Sequence, residues 1–315
     1  MKNIISISRR TDIPAFYLKW LLGRLCLGEV SYKHPGGGNR TISLRPPDVH
    51  TLVFWSKDYS RFLNNSELRE HLRLYSVYFH FSITGLGGSF IESRVPSHEV
   101  TLEQLREMTH IWGAERIEWR FDPIVFLQRG AAKYTNFSEF RSLALRVRQT
   151  GVTKCTFSFA TPYRKNLLFP RRYQFQYIFP GQEERTEMLM TMLSIGSSAG
   201  IELYACSDFS SAIINGINKA RCIDGDRLTW LHPQKEKAAS GKDRSQRAQC
   251  LCSPSIDIGS YEQACPHGCL YCYANPAVSD FLIRSLLDAM ASEKNKKSEP
   301  RHATRTLVAQ MHERK

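Results

Sequence analysis

The chain of 315 residues contains no apolar run long enough to cross a bilayer. Its start, Asn3-Ile-Ile-Ser-Ile-Ser8, runs directly into a strand-like segment with no secretory leader before it. The expectation is a cytoplasmic protein with no membrane partner. No internal repeat recurs, which argues against a solenoid or a propeller. Cysteine is almost missing from the first two thirds, where Cys26 and Cys155 stand alone. The other seven of the nine lie between Cys206 and Cys272, and clustered cysteines in a reducing compartment are more often metal ligands than disulfides. Acidic residues are in deficit, 30 Asp and Glu against 43 Lys and Arg, for a formal net charge of +13. Such an excess attracts phosphates, so a nucleic acid or a phosphorylated substrate suits it. Part of the excess lies beyond Ala291, at Lys294, Lys296, Lys297, Arg301, Arg305, Arg314 and Lys315. Solvated surface is therefore a simpler account than a dedicated nucleic-acid groove.

Six short segments rich in Val, Ile, Phe and Tyr read as buried strands: Ile4–Ser8, Thr51–Trp55, Val77–Thr84, Arg116–Phe121, Lys154–Phe159 and Ile201–Cys206. Between them, Phe16–Leu27, Ser66–Leu74, Leu102–Trp112, Phe137–Gln149 and Glu183–Ser197 place apolar residues at helical spacing. Alternation of this kind predicts an α/β fold with a parallel sheet and outer helices, a partial (β/α)6 TIM-like barrel. Pro35-Gly-Gly-Gly-Asn39 reads as a hairpin tip, and Asn166–Pro180 as a lid or an irregular connection. The expected organisation is a barrel over 1–210, a cysteine-rich segment over 211–278 closing the barrel mouth, and a basic tail over 279–315.

Ligands of parallel α/β folds sit at the C-terminal ends of strands. Polar residues gather there: Ser8-Arg9-Arg10-Thr11-Asp12, Trp55-Ser-Lys57, Thr84-Gly85-Leu-Gly87-Gly88, Arg120-Phe-Asp122, Ser158-Phe-Ala-Thr161 and Cys206-Ser-Asp208. Each has a plainer reading. Arg9 or Arg10 can pair with an acid across the rim, Arg120 and Asp122 share a strand face and can satisfy each other, and the glycines can be a tight turn. Several such ends on one rim nonetheless predict a ligand pocket.

The densest motif is Cys265-Pro-His-Gly-Cys269-Leu-Tyr-Cys272. A zinc knuckle prefers paired Cys-x2-Cys ligands, although His267 could complete a zinc site. A closed 4Fe–4S cluster needs a fourth thiolate from elsewhere. An open cluster uses these three alone, leaving one iron for a small molecule, and Gly268 and Tyr271 suit that loop. Cys206, Cys222, Cys250 and Cys252 remain, the number required by a second, fully ligated 4Fe–4S cluster or by an all-thiolate zinc site.

With these segments in view, the chain resembles a family of domains of unknown function whose C-terminal cysteine cluster is similar to that of radical S-adenosylmethionine (SAM) enzymes. The resemblance rests on Ile5–Tyr17, Val53–Lys57, Trp119–Pro123, Cys222–Asp224, Lys242–Arg247, Ser255–Tyr261 and Cys265–Asn275. The loop is also similar to that of spore-photoproduct-lyase-type DNA repair enzymes. Radical SAM enzymes carry this loop after the first strand; here it follows the sixth, and the residues beyond Asn275 do not match. The resemblance implies a barrel of radical SAM type with a SAM-binding 4Fe–4S cluster on Cys265, Cys269 and Cys272. It implies Tyr271 beside the adenine, Thr84, Gly85, Gly87 and Gly88 at the methionine amino group, and Arg120 and Asp122 at the carboxylate and ribose. The activity it implies is reductive cleavage of SAM to a 5′-deoxyadenosyl radical that acts on an unassigned substrate, with electrons from a flavodoxin or ferredoxin. Arg10, Asp12 and Lys57, with Arg9 and Trp55, are expected at the substrate end, where Arg and Lys suit an anion. The rivals are a nucleic-acid repair or modification enzyme, favoured by the net charge and Lys242–Arg247, and a non-catalytic metal-binding protein.

Overall fold

The computed structural model describes residues 2–33, 37–161, 175–208 and 214–274. The tail over 279–315, the start of the hairpin tip (Pro35 and Gly36) and most of Asn166–Pro180 lie outside them.

The main sheet is parallel throughout. It contains β1 (Asn3–Ile7), β4 (Val49–Ser56), β5 (Val77–Ser82), β6 (Ile117–Ile124), β9 (Lys154–Phe159) and β11 (Glu202–Ala205), which match the six expected strands. Two further strands, β12 (Ile217–Lys219) and β13 (Ile256–Asp257), extend it to the order β12-β11-β9-β6-β5-β4-β1-β13. They are three and two residues long, too short for a period to register. The sheet is thus an eight-stranded parallel sheet flanked by helices. Among the described residues no ladder joins β12 to β13, so the sheet has two edges. Smaller elements are the hairpin of β2 (Glu29–Lys33) with β3 (Asn39–Ser43), and an antiparallel sheet of β7 (Phe126–Arg129), β8 (Ala132–Thr135) and β10 (Gln176–Tyr177).

Strand alternation divides the sheet into two unlike faces. Ile5, Ile7, Leu52, Phe54, Phe79, Phe81, Trp119, Phe121 and Phe157 point to one side and join a single apolar core with the helices. Leu18–Leu27 supplies Leu21 and Leu25, His98–Trp112 supplies Leu102, Leu105 and Met108, and Gln182–Ala199 supplies Leu189 and Met192. The first helix stops at Gly28, whose φ of 75° turns the chain and whose N–H closes on the Arg24 and Leu25 carbonyls.

The opposite face is polar, and the C-terminal part of the chain fills it. The helix Gly225–Leu231, capped by the Asp224 carboxylate, packs with Ile223, Leu228 and Leu231 against Ile4, Val53 and Tyr78. Beneath it lies a buried network around Glu118. This carboxylate accepts from the Tyr78 hydroxyl at 2.9 Å and from Thr156, and pairs with Lys154 Nζ at 2.9 Å. His80 stacks on Trp55 with ring centroids 3.9 Å apart, and its Nε2 lies 2.7 Å from the Cys222 carbonyl, so that nitrogen carries the proton. Burial pushes the His80 pKa down to about 4.

Glu118 is wholly buried, so its charge and that of Lys154 depend on each other. Glu118→Gln is expected to cost about 3–5 kcal/mol in urea-induced unfolding, the usual loss when one partner of a buried pair is removed. A cost of less than about 1 kcal/mol, the range of an exposed pair, would contradict this view of the interior.

Candidate functional site

The rim at the C-terminal ends of β1, β4 and β5 is built around the Asp12 carboxylate. Asp12 caps the short helix Ile13–Phe16 by accepting from Ala15 N at 3.0 Å. It also accepts from Ser56 Oγ at 2.7 Å and Lys57 N at 2.9 Å, both at the end of β4. Its remaining partner is His267 Nε2 at 3.0 Å, from within the three-cysteine loop. The other ring nitrogen of His267 lies 3.1 Å from the Arg94 carbonyl. Both partners are acceptors only, so His267 donates from both nitrogens and is a cation. Burial opposes that charge, but the bond to Asp12 and its negative charge outweigh it and raise the His267 pKa. His267 therefore latches the loop and leaves no nitrogen for a metal.

The rest of the loop is fastened to the same rim. Tyr17 Oη donates to the Ala264 carbonyl at 2.6 Å, Arg94 to the Pro266 carbonyl at 3.3 Å, and Leu270 N to the Ile91 carbonyl at 3.0 Å. Tyr273 Oη donates to the Arg9 carbonyl at 2.6 Å. Gly268, with φ of 63°, supplies the left-handed turn between Cys265 and Cys269. Cys269 is buried, while Cys265 and Cys272 are half-buried. Burial, with the Asp12 charge second, pushes the Cys265 thiol up to about 12, and burial raises Cys269 as well. Thiols held this way bind a metal as thiolates only by releasing protons. The loop offers three thiols and no ligand from His267, and among the described residues no three ligating groups face one centre.

Tyr271 and Lys57 meet at Glu92, a residue with no prominence in the sequence. Glu92 is 1% exposed. Its Oε1 accepts from Lys57 Nζ at 2.9 Å, from Thr84 Oγ1 at 2.9 Å and from the Tyr271 hydroxyl. Lys57 also lies over the Tyr271 ring, 5.7 Å from its centroid. Burial opposes the Lys57 charge, yet Glu92, and behind it Cys269, keep its pKa raised. The glycine run turns the chain so that Gly88 N meets the Glu92 carbonyl at 3.2 Å. At Gly87 a side chain has no room, since a Cβ would lie 1.9 Å from the Pro96 carbonyl oxygen. Thr84, Gly85, Gly87 and Gly88 thus build the turn that presents Glu92.

Asp257, within the Ser255–Tyr261 segment, is a second acid to which the sequence assigned no role. It accepts from Ser6 Oγ at 2.9 Å, Ser8 Oγ at 2.5 Å and Arg9 N at 2.9 Å, fixing β13 to β1. Arg9 pairs with it, Nε to Oδ2, at 3.4 Å. Arg10 donates to the Gly259 carbonyl at 3.0 Å and lies over the Tyr261 ring.

Farther along the rim, Arg120 and Asp122 form an ion pair, the plainer of their two readings in the sequence. The Arg120 guanidinium also donates to Cys222 Sγ at 3.0 Å. Cys222 in turn lies 3.5 Å, sulfur to sulfur, from Cys206. Cys250 and Cys252 join the same apolar cluster as Cys222, and Ile223 N donates to Cys252 Sγ at 3.5 Å. The structure therefore brings all four of these cysteines together. Hydrogen bonds from the Cys206 and Cys252 thiols, then the Arg120 charge, pull the Cys222 pKa well down.

The family described as "Domain of unknown function (DUF1848)" matches residues 4–274. No curated protein matches the chain. Among solved structures, the crystal structure of IOLI protein with a bound zinc atom is 12% identical over 72% of this chain and 64% of that one, with a TM-score of 0.28. The chain thus spans less than two thirds of that protein, and a likeness this loose carries no argument about the site. No helix among the described residues is long and apolar enough to cross a membrane.

The Asp12–His267 latch is open to a double-mutant cycle. Asp12→Asn keeps an acceptor for the helix cap but removes the charge, and His267→Gln removes the ring. A coupling of about 1–3 kcal/mol in urea-induced unfolding is expected for two buried groups in direct contact. Independent, additive losses would show that the loop is held by its backbone contacts alone.

Proposed function

The chain belongs to the DUF1848 family, and from the rim geometry we propose that it is a radical SAM-like iron–sulfur enzyme acting on an unassigned substrate. The observation that carries this reading is the latch: Asp12 and His267 hold the three-cysteine loop over the strand ends, where parallel α/β folds bind ligands. Cys265, Cys269 and Cys272 would hold the cluster, which supplies one-electron reductive cleavage of SAM when it is bound. The surrounding residues do the positioning. Glu92 fixes the Tyr271 ring and the Lys57 ammonium side by side, next to Cys269. That ammonium places a fixed positive charge beside the thiolates, which stabilises their added negative charge in a poorly solvated site.

A small hollow of about 50 Å³ adjoins the loop, lined by Ile124, Phe126, Phe159, Tyr177 and Arg185. Tyr177 Oη donates to the Leu270 carbonyl at 3.3 Å, so one wall of the hollow is tied to the cluster loop. Its apolar lining and single guanidinium suit a small anionic group at its edge. Arg185 already pairs with Asp208 at 2.6 Å, and a substrate anion would compete for it. Electrons would come from a flavodoxin or ferredoxin.

One observation favours the second reading, a metal-binding protein without catalysis. Asp12, Lys57, Arg120 and Asp122 all spend their charges on internal partners. The exposed Lys242, Arg244 and Arg247 leave a nucleic-acid substrate within the first reading.

Anaerobically reconstituted protein should show iron–sulfur absorbance that added SAM perturbs, and a reductant should release 5′-deoxyadenosine. Cys269→Ala should abolish both signals. Iron incorporation without any response to SAM would select the non-catalytic reading. Zinc in place of iron on the three-cysteine loop would overturn both the cluster and the enzyme.

A further inference from the structure

The four cysteines outside the loop lie on the two edges of the open sheet. Cys206 directly follows β11, and Cys222 lies three residues past β12, at one edge. Cys250 and Cys252 lead into β13, which pairs with β1 at the other edge. The polar interior separates these edges, yet the sulfurs meet inside it. We infer that Cys206, Cys222, Cys250 and Cys252 form an all-thiolate site for a single zinc-type ion, and that this ion clasps the two sheet edges together.

Three observations carry the inference. The first is spacing. Four thiolates bound tetrahedrally at a Zn–S distance of about 2.3 Å lie about 3.8 Å from one another. Cys206 and Cys222 are 3.5 Å apart, and Cys250 and Cys252 pack in the same cluster as both. The contacts fit one ion better than the wider cage of a 4Fe–4S cluster. Among the described residues no three ligating groups already face one centre. One divalent ion enters, each cysteine still protonated releases its proton, and the four thiolates leave the site with a net charge of −2.

The second observation is charge. The Arg120 guanidinium, 7% exposed, donates to Cys222 Sγ at 3.0 Å and lies 5.2 Å from the centroid of the Trp55 ring. The guanidinium also pairs with Asp122, yet one of its N–H groups is aimed at the sulfur. That donor suits a thiolate centre that carries negative charge.

The third is backbone donation. Ile223 N points at Cys252 Sγ at 3.5 Å, and Cys250-Leu-Cys252 holds two of the ligands two residues apart on one irregular segment. Such N–H···S contacts orient ligating sulfurs and tune a metal–thiolate centre.

The site stands apart from the proposed enzyme function, and its test removes the three-cysteine loop from consideration. The full-length Cys265→Ala, Cys269→Ala, Cys272→Ala variant, purified in the presence of zinc, should retain about one zinc per chain. Its X-ray absorption should show four sulfur neighbours at about 2.3 Å. Adding Cys222→Ser and Cys252→Ser should lower the zinc content at least tenfold. Because those changes can disturb folding, hydrogen exchange on the parent variant provides a second measurement. Chelation should speed exchange in β11, β12 and β13 together while β5 and β6 stay protected. A folded parent variant that holds no zinc would overturn the site, and about four irons per chain would replace the single ion with a cluster. Unchanged protection at both edges after chelation would overturn the clasp.

Discussion

Four donors converge on the Asp12 carboxylate: a helix N-terminus, the hydroxyl and backbone amide at the end of β4, and the imidazolium of the cysteine loop. The group is buried, so its charge must be satisfied from all sides or it cannot remain. That constraint fixes the relative positions of β1, β4 and a loop some 250 residues away in sequence. The Glu92 cluster, with its lysine, threonine and tyrosine, extends the same arrangement by one strand. Asp257 extends it in the other direction, through Ser6, Ser8 and Arg9. Three buried acids thus set out the rim, and each takes a donor from a chain segment far from its own.

Much of this was legible from residue order. The apolar runs at Val53-Phe54, Phe79–Phe81 and Phe157 marked strands because one sheet face packs on helices and selects large hydrophobic groups. The helix pattern of Leu102, Leu105 and Met108 marked an outer helix for the same reason. Glu92 and Asp257 were not legible as rim residues, because their meaning depends on partners brought in by topology. His267 looked like a possible ligand in sequence; its hydrogen bonds to Asp12 and Arg94 give it another task. Strands of two and three residues, β13 and β12, carry too few side chains to show any alternation.

The polar face explains why the C-terminal segment belongs with the sheet. A buried carboxylate, an ammonium and a guanidinium on neighbouring strands cannot face a void or an apolar lining. Ile223, the helix Gly225–Leu231 and the cysteine-bearing turns cover them, and the Cys222 backbone supplies the acceptor for His80. Protein that elsewhere would leave an open mouth is used here as filling. The spare volume next to the cluster loop consequently lies to the side, near the ends of β6 and β9.

The pairing of β13 with β1 has a consequence during synthesis. The first strand leaves the ribosome early, but Asp257, which satisfies Ser6, Ser8 and Arg9, is added some 250 residues later. At roughly 5–20 residues per second this interval is about 12–50 s. Through that time the nascent sheet has a helix-packed back and an uncovered, charged front. Solvent can hydrate Glu118, Lys154 and Arg120 there, so an unfinished chain has a wet surface where the finished protein has an interior. The charges that make the completed fold depend on its last segment also keep its earlier stages from presenting a second sticky face.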